Sequence, residues 1–227
     1  MKDLRETKKI FGMEISRDRT RGKLCLTQKQ YLNKVLQRFD MNRDSKPVSI
    51  PFAPHLKFRS LLSPKTDEKR AYMTKVPYAN AVGRLMYAMV CTRPDISQAV
   101  SVVSKFMHDP GKSHWQVVKW ILRNIQNTVD VGLVFEQDES LGQCVVGYCD
   151  SDYAGDLDKR RSTTDYLFTF AKAPVSCKSI LPSTVTLSTA EAEYMAITET
   201  VKEAIWLQEL LEDLGVGKKH INVFYDS

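Results

Sequence analysis

The sequence predicts a mixed α+β chain, with a helical middle followed by a mixed sheet that carries one long flanking helix. Three observations carry this. Apolar residues recur at helical spacing in three successive stretches between Tyr78 and Asn127. Two short apolar runs, one reaching Asp150-Ser151 and one reaching Asp226-Ser227, have the length and composition of strands. Between them lies the longest helical pattern of the chain, from Ser188 to about Leu214, closed by Gly215.

At 227 residues the chain holds one large domain or two small ones. No apolar run approaches membrane-spanning length, and Met1-Lys2-Asp3-Leu4-Arg5 does not open a signal peptide. The five cysteines are odd in number, and no Cys-x-x-Cys occurs. The histidines lack metal-ligand spacing, so the expectation is a reducing intracellular compartment without zinc or disulfides. Charge is unevenly spread. Residues 1–129 carry 25 Lys and Arg against 10 acids, a formal +15, and residues 130–227 carry 8 against 17, a formal −9. A basic half beside an acidic half suits a protein that holds a polyanion and brings a metal-binding acid cluster to it. A basic surface that serves only solubility is the other reading.

In chain order, residues 1–43 read as a hairpin and a helix. Ile10–Ile15 and Lys23–Leu26 are strand-like around the turn Asp18-Arg19-Thr20-Arg21-Gly22, and Tyr31, Leu32, Val35, Leu36 and Phe39 fall at helical spacing. Residues 44–77 hold five prolines and many charges, and read as a connector with little regular structure. Residues 78–129 form the helical segment. Tyr78–Cys91 is apolar on most faces, and Pro94 opens a second helix to about His108 with Ile96, Val100, Val103 and Met107 in register. The third helix runs from about Ser113 to Asn127 on Trp115, Val118, Ile121, Leu122 and Ile125. Trp115 and Trp120 read as core rather than as base-stacking platforms. Residues 130–227 form the sheet domain. Val131–Phe135 should pair with the strand ending at Asp150, and Tyr166–Phe170 with Pro174–Cys177 should make a further hairpin.

Ser188 and Glu191 form a capping box at the start of the long helix. Glu193 has no such task. It falls with Ile197, Val201, Ala204 and Leu211 on an apolar stripe, where a carboxylate is costly unless paired. A solvated partner for the helix dipole is one reading, and a cation ligand is the other. If the strands ending at Asp150 and Asp226 are parallel neighbours, both acids sit at carboxyl ends, where open α/β sheets place ligands. Clustered carboxylates persist best around a hard divalent cation such as Mg²⁺.

Tyr148-Cys149-Asp150-Ser151-Asp152-Tyr153-Ala154-Gly155-Asp156, Arg161-Ser162-Thr163-Thr164, Leu187-Ser188-Thr189-Ala190-Glu191-Ala192-Glu193-Tyr194 and Tyr225-Asp226-Ser227 together resemble the ribonuclease H region of copia-type retrotransposon polyproteins, most of all those of plant elements. Tyr78-Ala79-Asn80-Ala81-Val82-Gly83-Arg84-Leu85-Met86-Tyr87 and Thr92-Arg93-Pro94-Asp95-Ile96 resemble the segment that joins reverse transcriptase to ribonuclease H in those polyproteins, and residues 1–43 resemble the end of the transcriptase. The resemblance implies a ribonuclease H-like fold for residues 130–227, incomplete at its C-terminal side. It also implies hydrolysis of the RNA strand of RNA–DNA hybrids by two Mg²⁺ ions about 4 Å apart. One ion activates a water and the other stabilises the leaving 3′-oxygen. Asp150, Glu193 and Asp226 match three of the family's four acids, and the fourth lies beyond Ser227.

Asp152 and Asp156 are supporting or structural, with Asp152 also open as a ligand. Arg160, Arg161 and Ser188 are candidate phosphate contacts. The hybrid is recognised through its minor groove and 2′-hydroxyls. The implied partners are the hybrid and the rest of the polyprotein, with no membrane, in the cytoplasm, a virus-like particle or the nucleus. No Tyr-x-Asp-Asp occurs, so no polymerase activity is expected. The chain departs from the family at Asp165 and Lys172, where glycines are usual, at Cys177, where tryptophan is usual, and at Pro182. An inactive relic that only binds nucleic acid or packs against the polymerase is the alternative.

Overall fold

The computed structural model describes residues 7–41, 46, 48–52, 62–137, 144–156, 158–216 and 220–225. Fourteen elements carry labels: β1 (Lys9–Ile10), β2 (Met13–Asp18), β3 (Lys23–Thr27), α1 (Lys29–Arg38), α2 (Asp67–Thr74), α3 (Tyr78–Cys91), α4 (Ser97–Ser104), α5 (Lys112–Asn127), β4 (Leu133–Glu136), β5 (Val145–Asp152), β6 (Thr163–Phe170), β7 (Ala173–Ile180), α6 (Thr189–Asp213) and β8 (Asn222–Tyr225). The architecture is mixed α+β, with one sheet in the order β1-β2-β3-β4 and another in the order β7-β6-β5-β8. The chain divides into two compact units, Met1–Ser16 with Cys25–Leu133, and Arg17–Leu24 with Val134–Ser227.

The first unit is helical because its helices each carry one apolar face. Leu32, Val35 and Leu36 of α1, Tyr78, Ala81, Val82 and Leu85 of α3, Val100 and Val103 of α4, and Val118, Ile121, Leu122 and Ile125 of α5 share one core. The N-terminal hairpin's helix and the middle helices, read from the sequence as separate segments, thus pack together. Thr92-Arg93-Pro94-Asp95 acquires a physical meaning here. Arg93 is fully buried, donates to both Asp95 carboxylate oxygens (2.9 and 2.7 Å), and donates to the Thr128 carbonyl (3.0 Å) and hydroxyl (2.7 Å). A planar guanidinium serves such a bidentate site where an ammonium does not. Thr92 donates its hydroxyl to buried Gln28 at 2.9 Å, which ties the end of α3 to the start of α1.

Two expectations shift in this unit. The connector 44–77 contains α2, and it buries Val48 and Met73. Trp120 and Asn124 donate to the Ile50 and Val48 carbonyls. The second middle helix stops at Ser104 rather than near His108, leaving Met107 exposed. Phe106 and Met107 continue in tight turns, bonding back to Val103 and Ser104, and Phe106 stacks on His114 with ring centroids 4.1 Å apart. That stacking draws the chain off the helical path.

In the second unit β5 pairs antiparallel with β6, and β6 with β7. The chain then crosses through α6, and β8 returns parallel to β5, with Cys149 opposite Tyr225. One face of this sheet packs on α6 through Val145, Cys149, Tyr166, Phe168 and Leu207. Gly147 is required under Phe168, because a Cβ there would come 2.5 Å from the ring. Glu203 fastens α6 to the sheet by accepting from Tyr166 (3.1 Å) and Ser176 (2.6 Å). The β6–β7 turn is the two-residue Ala171-Lys172, both at positive φ (49° and 66°), as a type I′ hairpin turn demands.

Two corrections belong here. The strand at Leu133–Glu136 does not pair with β5 but lies beside β3 in the other sheet. Gly132 permits this, since any Cβ there would meet the Leu26 carbonyl at 2.2 Å. The buried stripe of α6 is Ala192, Ala196, Thr200 and Leu207, with Ile197, Ala204 and Leu211 partly buried and Val201 exposed. It is rotated by about one residue from the stripe that the periodicity suggested. Alanines allow the helix to lie close to the sheet, and the large side chains Tyr194, Ile205 and Trp206 turn outward.

Candidate functional site

The site is built where β5 ends and α6 begins. Ser188 caps α6 by accepting the Glu191 N–H at 3.2 Å, and Glu191 reaches back to the Leu187 N–H at 2.7 Å. The capping pair expected from the sequence is therefore present, with the reciprocal bond shifted to Leu187. Tyr153, just past β5, donates to the Leu187 carbonyl at 3.2 Å, and Ser162 and Thr186 share a buried hydroxyl bond. These contacts hold the N-terminal turn of α6 against the carboxyl end of β5.

Asp150 lies in the last part of β5 and is exposed. Along β5 the buried residues Val145, Gly147 and Cys149 alternate with Val146, Tyr148 and Asp150. Asp150 therefore shares a face with Tyr148, and Cys149 faces α6. Its carboxylate accepts the Ser151 N–H at 2.8 Å. Glu193 is half-buried in the second turn of α6 and forms no hydrogen bond or ion pair with a described residue. Asp226 lies outside the described residues, immediately after β8. Among the described residues no group of three or more His, Cys, Asp or Glu gathers in metal-holding geometry.

Asp165 is the acid that sequence reasoning passed over as a mere glycine replacement. It stands directly opposite Asp150 across the β5–β6 ladder, with Ser179 opposite it on β7. Its backbone is ordinary strand, so it relieves no glycine-only conformation. Burial raises its pKa above the usual carboxylate range, a Ser179 hydrogen bond opposes the rise, and the charges of Asp150 and Asp152 add to it. The two-residue turn sets only the β6–β7 register; β5 and β6 are separated by residues 153–162, so no short turn in the sequence marks this pair. Burial likewise raises the pKa of the Cys149 thiol, against a hydrogen bond with Thr200.

Of the cationic candidates, Arg160 is exposed at φ 55°. Arg161 is half-buried, with Nε 3.9 Å from Asp156 and a 3.1 Å bond to the Pro182 carbonyl. Asp156 thus serves this loop. Asp150 and Glu193, the expected Mg²⁺ ligands among the described residues, lie near the carboxyl end of β5 and in the second turn of α6.

Matched along its full 227 residues, the chain is 51% identical to "Retrovirus-related Pol polyprotein from transposon TNT 1-94" of Nicotiana tabacum, of which it covers 17%. It is 34% identical over 225 residues, 99% of its length, to "Retrovirus-related Pol polyprotein from transposon RE1" of Arabidopsis thaliana, of which it covers 14%. A stretch of 135 residues, 60% of the chain, is 48% identical to "Secreted RxLR effector protein 161" of Plasmopara viticola and covers 94% of it. The chain spans about a sixth of the length of the Pol polyproteins that it matches. No protein-family model matches it. No solved structure matches it.

Proposed function

The chain belongs to the copia-type, retrovirus-related Pol polyproteins of retrotransposons, and from that premise we propose that it is the part joining the end of a reverse transcriptase to a ribonuclease H-like domain that hydrolyses the RNA strand of RNA–DNA hybrids. The observation that carries the reading is the β7-β6-β5-β8 sheet. Its inner strand β5 carries Asp150 near its carboxyl end, its parallel neighbour β8 leads to Asp226, and α6 with Glu193 crosses between β7 and β8. Asp150, Glu193 and Asp226 bind the metal in this reading. Bound Mg²⁺ supplies the positive charge that activates a water and stabilises the leaving 3′-oxygen. The remainder of the polyprotein is the protein partner, and the setting is intracellular.

The chain's own residues do the positioning. The Ser188 and Glu191 cap fixes the first turn of α6, and the Tyr153–Leu187 bond ties that turn to the end of β5. Asp165 stands opposite Asp150 across the ladder, and the charges of Asp150 and Asp152 add to the burial that raises its pKa. The test is hydrolysis of a labelled RNA strand annealed to DNA. Mg²⁺-dependent cleavage that spares the same RNA as single strand or RNA duplex is expected, and cleavage that persists in chelator overturns the reading. A non-catalytic role is the second reading, favoured by the turn of Asp150 to the sheet face away from α6.

A further inference from the structure

The N-terminus of α5 is capped by a base. Gly111 is the N-cap residue, and its N–H donates to Nδ1 of His114, three residues on, at 2.9 Å. The Gly111 carbonyl accepts the Trp115 N–H at 3.1 Å, so both backbone groups of the cap are bonded. Glutamate or glutamine is the usual side chain for this backward bond. Histidine makes it only while Nδ1 keeps its lone pair. A backbone N–H can only donate, so the imidazole here is neutral, with its proton on Nε2. His114 is fully buried, and its ring stacks on Phe106 with centroids 4.1 Å apart. The corner that it holds also seats the chain ahead of α2. A Cβ at Gly111 would come 2.0 Å from the Leu62 carbonyl oxygen, and Ser63 donates to the Asp109 carbonyl at 2.8 Å.

Protonation turns this acceptor into a donor. Nδ1–H would then face the Gly111 N–H, and a new positive charge would lie buried at the positive end of the α5 dipole. The titratable groups on the neighbouring segments are Lys105, His108 and Asp109 in the corner, Lys112 on α5, Lys65 beside Ser63, Tyr72 on α2 and Tyr78 on α3. Tyr78 donates to the Val103 carbonyl, and the Lys112 ammonium lies 5.9 Å from the centre of the Tyr72 ring. Asp109 alone among these groups would favour the cation. We propose that His114 is a pH-operated latch. In mild acid Nδ1 takes a proton from solvent and releases the Gly111 N–H. The corner between α4 and α5 then comes free, together with Leu62 and Ser63 that sit on it. Histidine in an unfolded chain protonates at about pH 6.5. The latch is therefore closed above that pH and loses its hold as pH falls below it. It belongs to the helical unit and does not rest on the nuclease reading.

The experiment is amide hydrogen exchange of the full chain at about pH 7.5 and about pH 5.5, on either side of the ordinary histidine value. Each rate is corrected for the intrinsic exchange rate at its pH. His114→Gln keeps an acceptor for the Gly111 N–H and cannot take the proton. In the parent, protection over Phe106–Gly111 should fall at least about tenfold at the lower pH, one pH unit below the ordinary value. Protection of Ile121–Ile125 in the same helix should hold. In His114→Gln neither stretch should change. His108→Gln, at an exposed histidine of the same corner, should behave as the parent does. Should His114→Gln fail to fold, the imidazole nitrogen shifts of the parent, read by nuclear magnetic resonance, answer for it. Nδ1 should be unprotonated at neutral pH and take its proton as the Gly111 amide loses protection. Equal losses in the parent and His114→Gln overturn the proposal, because the corner would then open without the imidazole. So does unchanged protection in the parent at the lower pH, a loss shared equally by Ile121–Ile125, or a proton already on Nδ1 at neutral pH.

Discussion

Asp165 shows how one residue alters the balance at the end of β5. Its carboxyl is half-buried, faces Asp150 across the ladder, and has Ser179 as its favourable partner among the described residues. The folded chain therefore holds this proton to higher pH than the unfolded chain does. Stability from this group is present below the ordinary value of 3.8 and is lost as pH rises through the raised folded value. Asp165→Asn keeps an acceptor for Ser179 and removes the charge. It should melt higher than the parent at neutral pH, and the two melting temperatures should converge below pH 3.8. A gap that is independent of pH would assign the effect to packing. Arg93 is the opposite case, a buried charge that is fully satisfied. Arg93→Ala should cost about 3 kcal/mol in chemical denaturation, and Arg93→Lys most of that, because an ammonium cannot reproduce the fork. Neither residue's partners could be read from the sequence. Arg93 was visible only as a member of a motif, and its Thr128 partner lies 35 residues away.

At the level of elements, local signals were legible and pairing was not. The bounds of α3 follow from its apolar faces and from Pro77 and Pro94, and α5 from Gly111 and the spacing of Val118, Ile121, Leu122 and Ile125. The parallel β5–β8 pair followed from two matching runs that each lead to an aspartate. The place of β4 did not, because four apolar residues carry no record of which edge they will join, and the close approach of Gly132 to Leu26 is a tertiary fact. The face of α6 was misjudged for a related reason. Apolar side chains are spread around the helix among eight charged ones, so periodicity alone could not separate its alanine stripe from its outward aromatic one. The β6–β7 turn offers the sharpest test at this scale. Lys172 sits at φ 66°, and its ion pair with Glu136 is a long 3.8 Å contact at the surface. Lys172→Gly should therefore stabilise the chain by about 1 kcal/mol, the relief of a left-handed backbone outweighing a surface pair. Urea denaturation reads this directly, and a loss of stability would mean that the Lys172 contacts outweigh the strain.

For the whole molecule, the separation of charge read from the sequence coincides closely with the division into units. The helical unit is the basic one, and the sheet unit, which carries Asp150 and Glu193, is the acidic one. Among the described residues no helix is long and apolar enough to cross a membrane. Asp150, Glu193 and Asp226 were named from three motifs of the sequence, and the direction in which Asp150 faces, which depends on strand register, could not be read there. The measurement that bears most directly on the nuclease reading is the rate of RNA cleavage in an RNA–DNA hybrid with Mg²⁺, for the parent and for Asp150→Asn and Glu193→Gln. Each variant should lose at least about a hundredfold, equivalent to about 2.7 kcal/mol of transition-state stabilisation, with its melting temperature unchanged or raised. Cleavage by the parent that either variant matches, or no Mg²⁺-dependent cleavage by any of the three, would contradict it.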